Sequence, residues 1–576
     1  MVHASSSLRR SPRGIWVVLA WLAASAPVDA ESPARLVDPR VLAIHKQEIH
    51  FYRERTVEHL STATIPRGWA QSWWLDAADQ RLAVLSREGL MKQKGPLQLS
   101  FVDLTARQVA ASMPLEGTLY FMVRSKTGRF GFLCMKSSEA KKGTPAKFRL
   151  VRVDLVSGTI GAERTLADAP GAMAMTDSDR TVAVVFPGAS GKTRGDRKPG
   201  RVELLSAESL ETRASVALPG PGDAAFWSVD HSRLYAEDIG LDDARPEVAL
   251  PGRLYVIDTI GAKLVADLEL GVGPGPLGRD TEHGVFYVLT RPRKAKDAEA
   301  SLLVIRGDAI EREIGLPARP VAVVPNAERT RFYVLEEKGL TLVDGALTNI
   351  EARIPLADTP TGILPIEGAN RAFVSFAGSS QVASIDLGTR QILANITTGR
   401  AGKKFGLAAA AVLGTALSQA HSLMMTGNQW AMAQVVTYPS PETSGLLSPD
   451  GKLAFFYNSQ TGDYTVVEVE TNLVLDQIAG SGLRFLPGGK LAAVMQLTDV
   501  ALWDLEARRS LGEIDAGGGG KWLCPDGDHV WAVAGIHSLN VVDLGKRAVV
   551  KEFDELGGGL LFYDAAQAAV EVNTAP

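Results

Sequence analysis

Nine histidines, 65 acidic residues and two cysteines are the side chains with which this 576-residue sequence could hold a metal, move a proton or attack an electrophile. Their spacing does not gather them. His45 and His50 form only a loose version of a zinc-helix pair, and no carboxylate cluster accompanies them, so no metal site is expected. Gly188-Ala189-Ser190-Gly191-Lys192-Thr193 ends like a phosphate-binding loop, but Phe186 stands where the opening glycine should be. Arg194-Gly195-Asp196 matches an adhesion tripeptide, a match short enough to arise by chance. Trp69, Trp73 and Trp74 could stack on a sugar, although aromatics on a first strand more often belong to a core. Cys134 and Cys524 each sit in an apolar run and read as buried thiols rather than as a disulfide framework.

The charged clusters say more. Basic residues crowd into a few polar stretches: Lys92 and Lys94; Lys136, Lys141, Lys142 and Lys147; Lys192, Arg194, Arg197 and Lys198; Arg291, Arg293, Lys294 and Lys296. A further stretch carries acids instead, Glu237, Asp238, Asp242, Asp243 and Glu247. Such clusters can dock an anionic partner, either an acidic protein or an anionic envelope polymer. Surface loops that merely solvate themselves would look the same. The candidate partner-binding residues are Lys141, Lys142, Lys192, Arg194, Arg197, Lys198, Arg291, Arg293 and Lys294. A net charge of −4 gives no reason to expect nucleic acid.

Something must hold those stretches in place, and the chain repeats itself. An alternating apolar strand ends in an acid, a short polar turn follows, and a second strand begins. The best copies end at Asp103, Asp154, Asp258, Asp344, Asp386, Asp504 and Asp543, and weaker ones put Ser206, Gly307 and Glu470 at the same place. A short aspartate can accept hydrogen bonds from backbone groups two residues on, so the acid is expected to fasten a hairpin turn rather than to do chemistry. Two further strands precede each copy, as in Arg319–Val324 followed by Arg331–Leu335, which makes a four-stranded unit. Asp154 lies 51 residues after Asp103, and Asp386 lies 42 after Asp344, close to the roughly 40 to 50 residues of a propeller blade. The basic stretches then fall in the connections between second and third strands, on one face.

On Phe332-Tyr333-Val334, Leu342-Val343-Asp344 and Glu351-Ala352-Arg353-Ile354, in that order, the chain resembles the YVTN family of β-propeller repeats, with a WD-like element at Trp503-Asp504. The resemblance implies an all-β ring of four-stranded blades and, commonly, an exported protein at the cell surface. Ten units are legible. An eleventh is expected from both termini, with Gly559–Tyr563 and Ala568–Val572 as its first strands and 48–52 and 56–60 as its outer ones. So many units imply two rings or one unusually large ring.

The first thirty residues read as a signal peptide. Arg9, Arg10 and Arg13 precede the apolar run Ile15–Ala24, and Val28-Asp29-Ala30 ends in the small-residue pattern of a cleavage site. Residues 31–400 carry the first seven units, 401–437 an apolar helical insertion, and 438–576 the remaining repeats. The expected location is periplasmic or extracellular, with no transmembrane span after signal removal. The expected function is binding or scaffolding without a cofactor. The alternative is a propeller enzyme, lactonase-like or cofactor-dependent dehydrogenase-like, with its site at a central channel.

Overall fold

The computed structural model describes residues 40–572 apart from loop segments, chiefly 88–96, 138–146, 189–196, 242–248 and 291–298, and the stretch 400–444. The helical insertion expected at 401–437 therefore lies outside the described residues, and so does the leader. Among the described residues every regular element is a β-strand, and no helix is long and apolar enough to cross a membrane.

Ten antiparallel sheets of four strands follow one another along the chain, each made of consecutive strands. We number them in chain order. Sheet 1 spans residues 69–115, sheet 2 118–166, sheet 3 172–217, sheet 4 224–271, sheet 5 278–316, sheet 6 320–355, sheet 7 360–397, sheet 8 446–479, sheet 9 482–515 and sheet 10 521–553. A terminal sheet joins the N-terminal strands Arg40–His45, Glu48–Arg53 and Glu58–Thr64 to the C-terminal hairpin Gly559–Asp564 and Gln567–Val572. The architecture fits a β-propeller fold.

Burial on both faces explains why the second and third strands read as continuous apolar runs. In sheet 6, Phe332 and Val334 point into a cluster shared with sheet 5, while Tyr333 and Leu335 point into one shared with sheet 7. Side chains alternate across a strand, so one run of four apolar residues holds two junctions. Full burial of Phe332 alone is worth roughly 1.5–3 kcal/mol. Fourth strands are the exposed members, and they carry solvent-facing apolar residues such as Ile392, Leu393 and Val474.

The repeated acid does what its chemistry predicts. Asp103 Oδ1 accepts from the Thr105 and Ala106 amides, both at 2.8 Å, and Asp504 Oδ1 accepts from Glu506 at 3.0 Å and Ala507 at 2.8 Å. Asp154, Asp258, Asp344, Asp386 and Asp543 make the same kind of bond. Four residues after the acid the backbone enters the left-handed region, at Arg107 (φ 56°), Arg390 (62°) and Arg508 (54°), where a non-glycine residue is unfavourable without such fastening. Amide donors hold the Asp258 and Asp386 carboxyls below the usual carboxylate range. In sheet 9, Trp503 is fully buried and its indole N–H donates to Asp476 Oδ2 at 2.8 Å.

Three expectations need correction. The strand-ending residue of sheet 8 is Glu468, not Glu470, because Glu468 pairs with Leu453 and accepts the Thr471 hydroxyl. In sheet 5 the strand ends at Arg306 rather than Gly307: Arg306 pairs with Ala309 across a two-residue turn in which Gly307 has φ +58°, and so no acid is required there. The terminal sheet has five strands, not four. Arg40–His45 pairs with Glu48–Arg53 on one side and Gly559–Asp564 on the other, leaving Gln567–Val572 at the edge.

Candidate functional site

In an antiparallel four-stranded sheet the turns between strands one and two and between three and four emerge at one end, and the turn between two and three at the other. Chemistry gathers at both ends of sheet 3, against different neighbours.

At the two–three end, sheet 3 meets sheet 4. Arg197, in the turn of sheet 3, makes a buried ion pair with Asp238, the last residue of the second strand of sheet 4. Asp238 Oδ1 also accepts from the Gly240 amide at 2.9 Å. The adjoining Glu237 is buried, and Asp223 lies across the strand pair, its amide donating to the Glu237 carbonyl at 2.6 Å. Burial, reinforced by the charges of Asp223 and Asp238, pushes the Glu237 carboxyl up to about 7. Burial likewise raises Asp223, against the Ile239 amide that donates to its Oδ2 at 3.3 Å. The Tyr255 hydroxyl is buried there without a hydrogen-bond partner among the described residues, and burial raises its pKa. Gly220 is required by close approach: a Cβ at 220 would sit 2.4 Å from the Tyr255 hydroxyl.

At the opposite end, sheets 2 and 3 enclose a cleft of about 230 Å³. Arg129, Arg152, Arg180 and Arg213 line it around Phe130, against only two carboxylates, Asp179 and Glu208. The Arg129 guanidinium lies 4.8 Å and the Arg152 guanidinium 4.5 Å from the Phe130 ring centroid. Arg152 donates to the backbone carbonyl of Glu208, Arg213 to Thr181 Oγ1 at 3.3 Å, and the Thr127 hydroxyl to Asp179. Such a set can hold an oxyanion, since guanidinium groups present paired N–H donors to paired oxygens.

Of the residues the sequence nominated, Arg197 and Lys198 are described. Arg197 is committed to Asp238, and Lys198 is exposed. Lys141, Lys142, Lys192, Arg194, Arg291, Arg293 and Lys294 lie outside the described residues, as do Asp242, Asp243 and Glu247, the phosphate-loop-like stretch from Ala189, the Arg194-Gly195-Asp196 tripeptide, Cys524 and the side chains of Trp69, Trp73 and Trp74. Glu237 and Asp238 prove to be buried strand residues rather than loop acids. His50 is bonded to Thr62 at 3.0 Å and lies 3.2 Å from Glu48. Cys134 is a buried free thiol whose pKa burial pushes up to about 12, too high for a ready nucleophile. The four cleft arginines were missed. A signal was present: an arginine recurs at the first residue of second strands, at Arg233, Arg331 and Arg371, or just before it, at Arg129 and Arg180.

No known protein family matches the chain, and no curated protein does. Solved structures with a similar course of chain include a eukaryotic initiation factor (TM-score 0.42, 9% identity, covering 91% of this chain and 98% of that one). Two others are hydrazine synthase of Kuenenia stuttgartiensis (0.30, 14%, 55% and 95%) and the dihydro-heme d1 dehydrogenase NirN in complex with DHE (0.33, 11%, 86% and 77%). Nothing of their chemistry transfers at such distance.

Proposed function

We propose that this chain is an exported β-propeller of the YVTN or WD-like kind that binds or scaffolds an anionic partner, and that its eleven sheets close one large ring. Support for the ring comes from packing. Each sheet from 1 to 9 shares a hydrophobic cluster with the next. The terminal sheet packs on sheet 1 through Ile49, Phe51, Leu82 and Val84, and on sheet 10 through Tyr52 and Phe553, whose ring centroids are 4.8 Å apart. Export rests on the leader composition alone.

The observation that carries binding is the cleft of sheets 2 and 3, where four guanidinium groups outnumber two carboxylates on an accessible face. The loops bearing Lys141, Lys142, Lys192, Arg194, Lys198, Arg291, Arg293 and Lys294 would give the opposite face a second basic surface. The mature chain is expected to be retained on beads bearing dextran sulfate at low salt and released as salt rises, because added salt screens a charge-driven contact. Passage through the beads unretained at low salt removes this reading.

One observation favours an enzyme: Glu237, pushed up to about 7, has the pKa of a working proton donor and adjoins the first strand of its sheet, beside where a ring would have its channel. That reading requires any turnover shown by the wild-type chain to be lost in Glu237→Gln.

A further inference from the structure

The repeat explains why the cleft exists, and the explanation names its ligand. In sheets 4 and 2 the cation at or just before the start of the second strand lies near the repeated acid: Arg233 lies 3.3 Å from Asp258, and Arg129 lies 3.7 Å from Asp154. In sheet 3 the acid is replaced by Ser206, which stands opposite Thr181, the residue after Arg180. Arg180 is thus deprived of the carboxylate its counterparts face, and it is exposed. Arg213, on the fourth strand of the same sheet, also pairs with no carboxylate among the described residues. The two cations that sheet 3 leaves uncompensated are the two it turns toward Arg129 and Arg152 of sheet 2.

We propose that this cleft is a binding site for a single tetrahedral oxyanion ester, a phosphate or sulfate monoester, formed because the repeat acid is missing from sheet 3. The inference rests on the anionic-partner reading and gives it a chemical group.

Three features carry it. All four cations are arginines, whose planar paired donors match two oxygens of one ester group at a time, whereas lysines would offer point charges. Phe130 fixes the attitude of two of them by lying against Arg129 and Arg152, and the Arg152 Nε is buried without a partner among the described residues, so the sheet 2 wall is preorganised. The volume, about 230 Å³, falls below the roughly 300 to 1,000 Å³ of a site that engulfs a whole ligand. It suits one charged group with the sugar or side chain that bears it. Of the two carboxylates, Asp179 is held by the Thr127 hydroxyl and Glu208 lies at the rim, in the turn after Ser206.

The test titrates the mature chain with glucose 6-phosphate, glucose 6-sulfate and glucuronate by calorimetry at low salt, alongside the double variant Arg180→Ser/Arg213→Ser. Both positions are exposed polar sites, and a circular-dichroism melt shows whether the variant stays folded. At least one ester is expected to bind ten or more times more tightly than glucuronate, and the variant to lose at least tenfold for that ester. Which ester binds more tightly identifies the group as phosphate or sulfate. Equal binding of glucuronate and both esters, or undiminished ester binding by the folded variant, overturns the assignment. If dextran sulfate beads still retain the chain while neither ester binds, this site falls and the wider binding reading stands; if the beads fail as well, both fall.

Discussion

At the junction of sheets 3 and 4, Arg197 and Asp238 have side chains only 11% and 4% exposed, and their charges cancel beside two further carboxylates. At the junction of sheets 2 and 3, on the opposite ends of the strands, Arg129 is 62% exposed and Arg180 and Arg213 stand in solvent. Sheet 3 thus contributes arginine to both its neighbours, from turns of the same general composition. The difference lies in what each neighbour presents. Sheet 4 offers a buried carboxylate, so the guanidinium there is part of the core; sheet 2 offers a phenyl ring and more arginine, with Asp154 beside Arg129, so Arg180 and Arg213 of sheet 3 find no buried carboxylate there among the described residues. A basic residue in a loop therefore indicates neither docking nor structure until the residue opposite is known.

The largest test of this contrast is Arg197→Ala. Removing one member of a buried ion pair leaves the other uncompensated, typically at about 3–5 kcal/mol. Chemical denaturation at pH 8 should show a loss of that order. A loss under about 0.5 kcal/mol, the usual range for a surface site, would place Arg197 with the exposed arginines and erase the distinction.

Glu237→Gln sharpens the same side. The Glu237 carboxyl stands at about 7, above its unfolded value, because burial and then Asp223 and Asp238 disfavour its charge. A raised acid stabilises the fold fully below its unfolded pKa and loses that contribution as pH climbs through the folded one. Wild-type stability should therefore decline between about pH 4.5 and pH 8, and Glu237→Gln should flatten the decline and stabilise the chain by about 2–3 kcal/mol at pH 8. Parallel pH profiles for the two chains would show that Glu237 ionises freely.

How far the sequence reveals this follows from which interactions are local. The four-stranded unit and the turn-fastening role of Asp103, Asp386 and Asp504 are legible because acceptor and donors lie two or three residues apart. Both termini could be seen to share a sheet, since Gly559–Asp564 and Glu48–Arg53 carry strand patterns without partners of their own, but the joining strand Arg40–His45 could not. The sites were hidden for a physical reason. Arg197 meets Asp238 across 41 residues and Arg152 meets the Glu208 carbonyl across 56, from sheet to sheet, and one-dimensional spacing carries no record of such a pairing. The absence of the acid at Ser206 was visible, but it acquires meaning only once the register sets the second strand beside it.

The smallest expected effect is also the most discriminating. Arg180 is exposed, precedes the residue that pairs with Ser206 where the repeat elsewhere has aspartate, and shares its cleft with three other arginines and two carboxylates. Arg180→Ser alone should leave stability within about 0.5 kcal/mol of wild type, or raise it slightly at low salt, with the rise vanishing as salt screens the cluster. Chemical denaturation at two salt concentrations reads this directly. A clear destabilisation, insensitive to salt, would mean that Arg180 holds sheets 2 and 3 together much as Arg197 holds 3 and 4. The cleft would then be a seam of the fold and not a site, since a cation kept for a ligand costs the unliganded fold stability and one kept for packing adds to it.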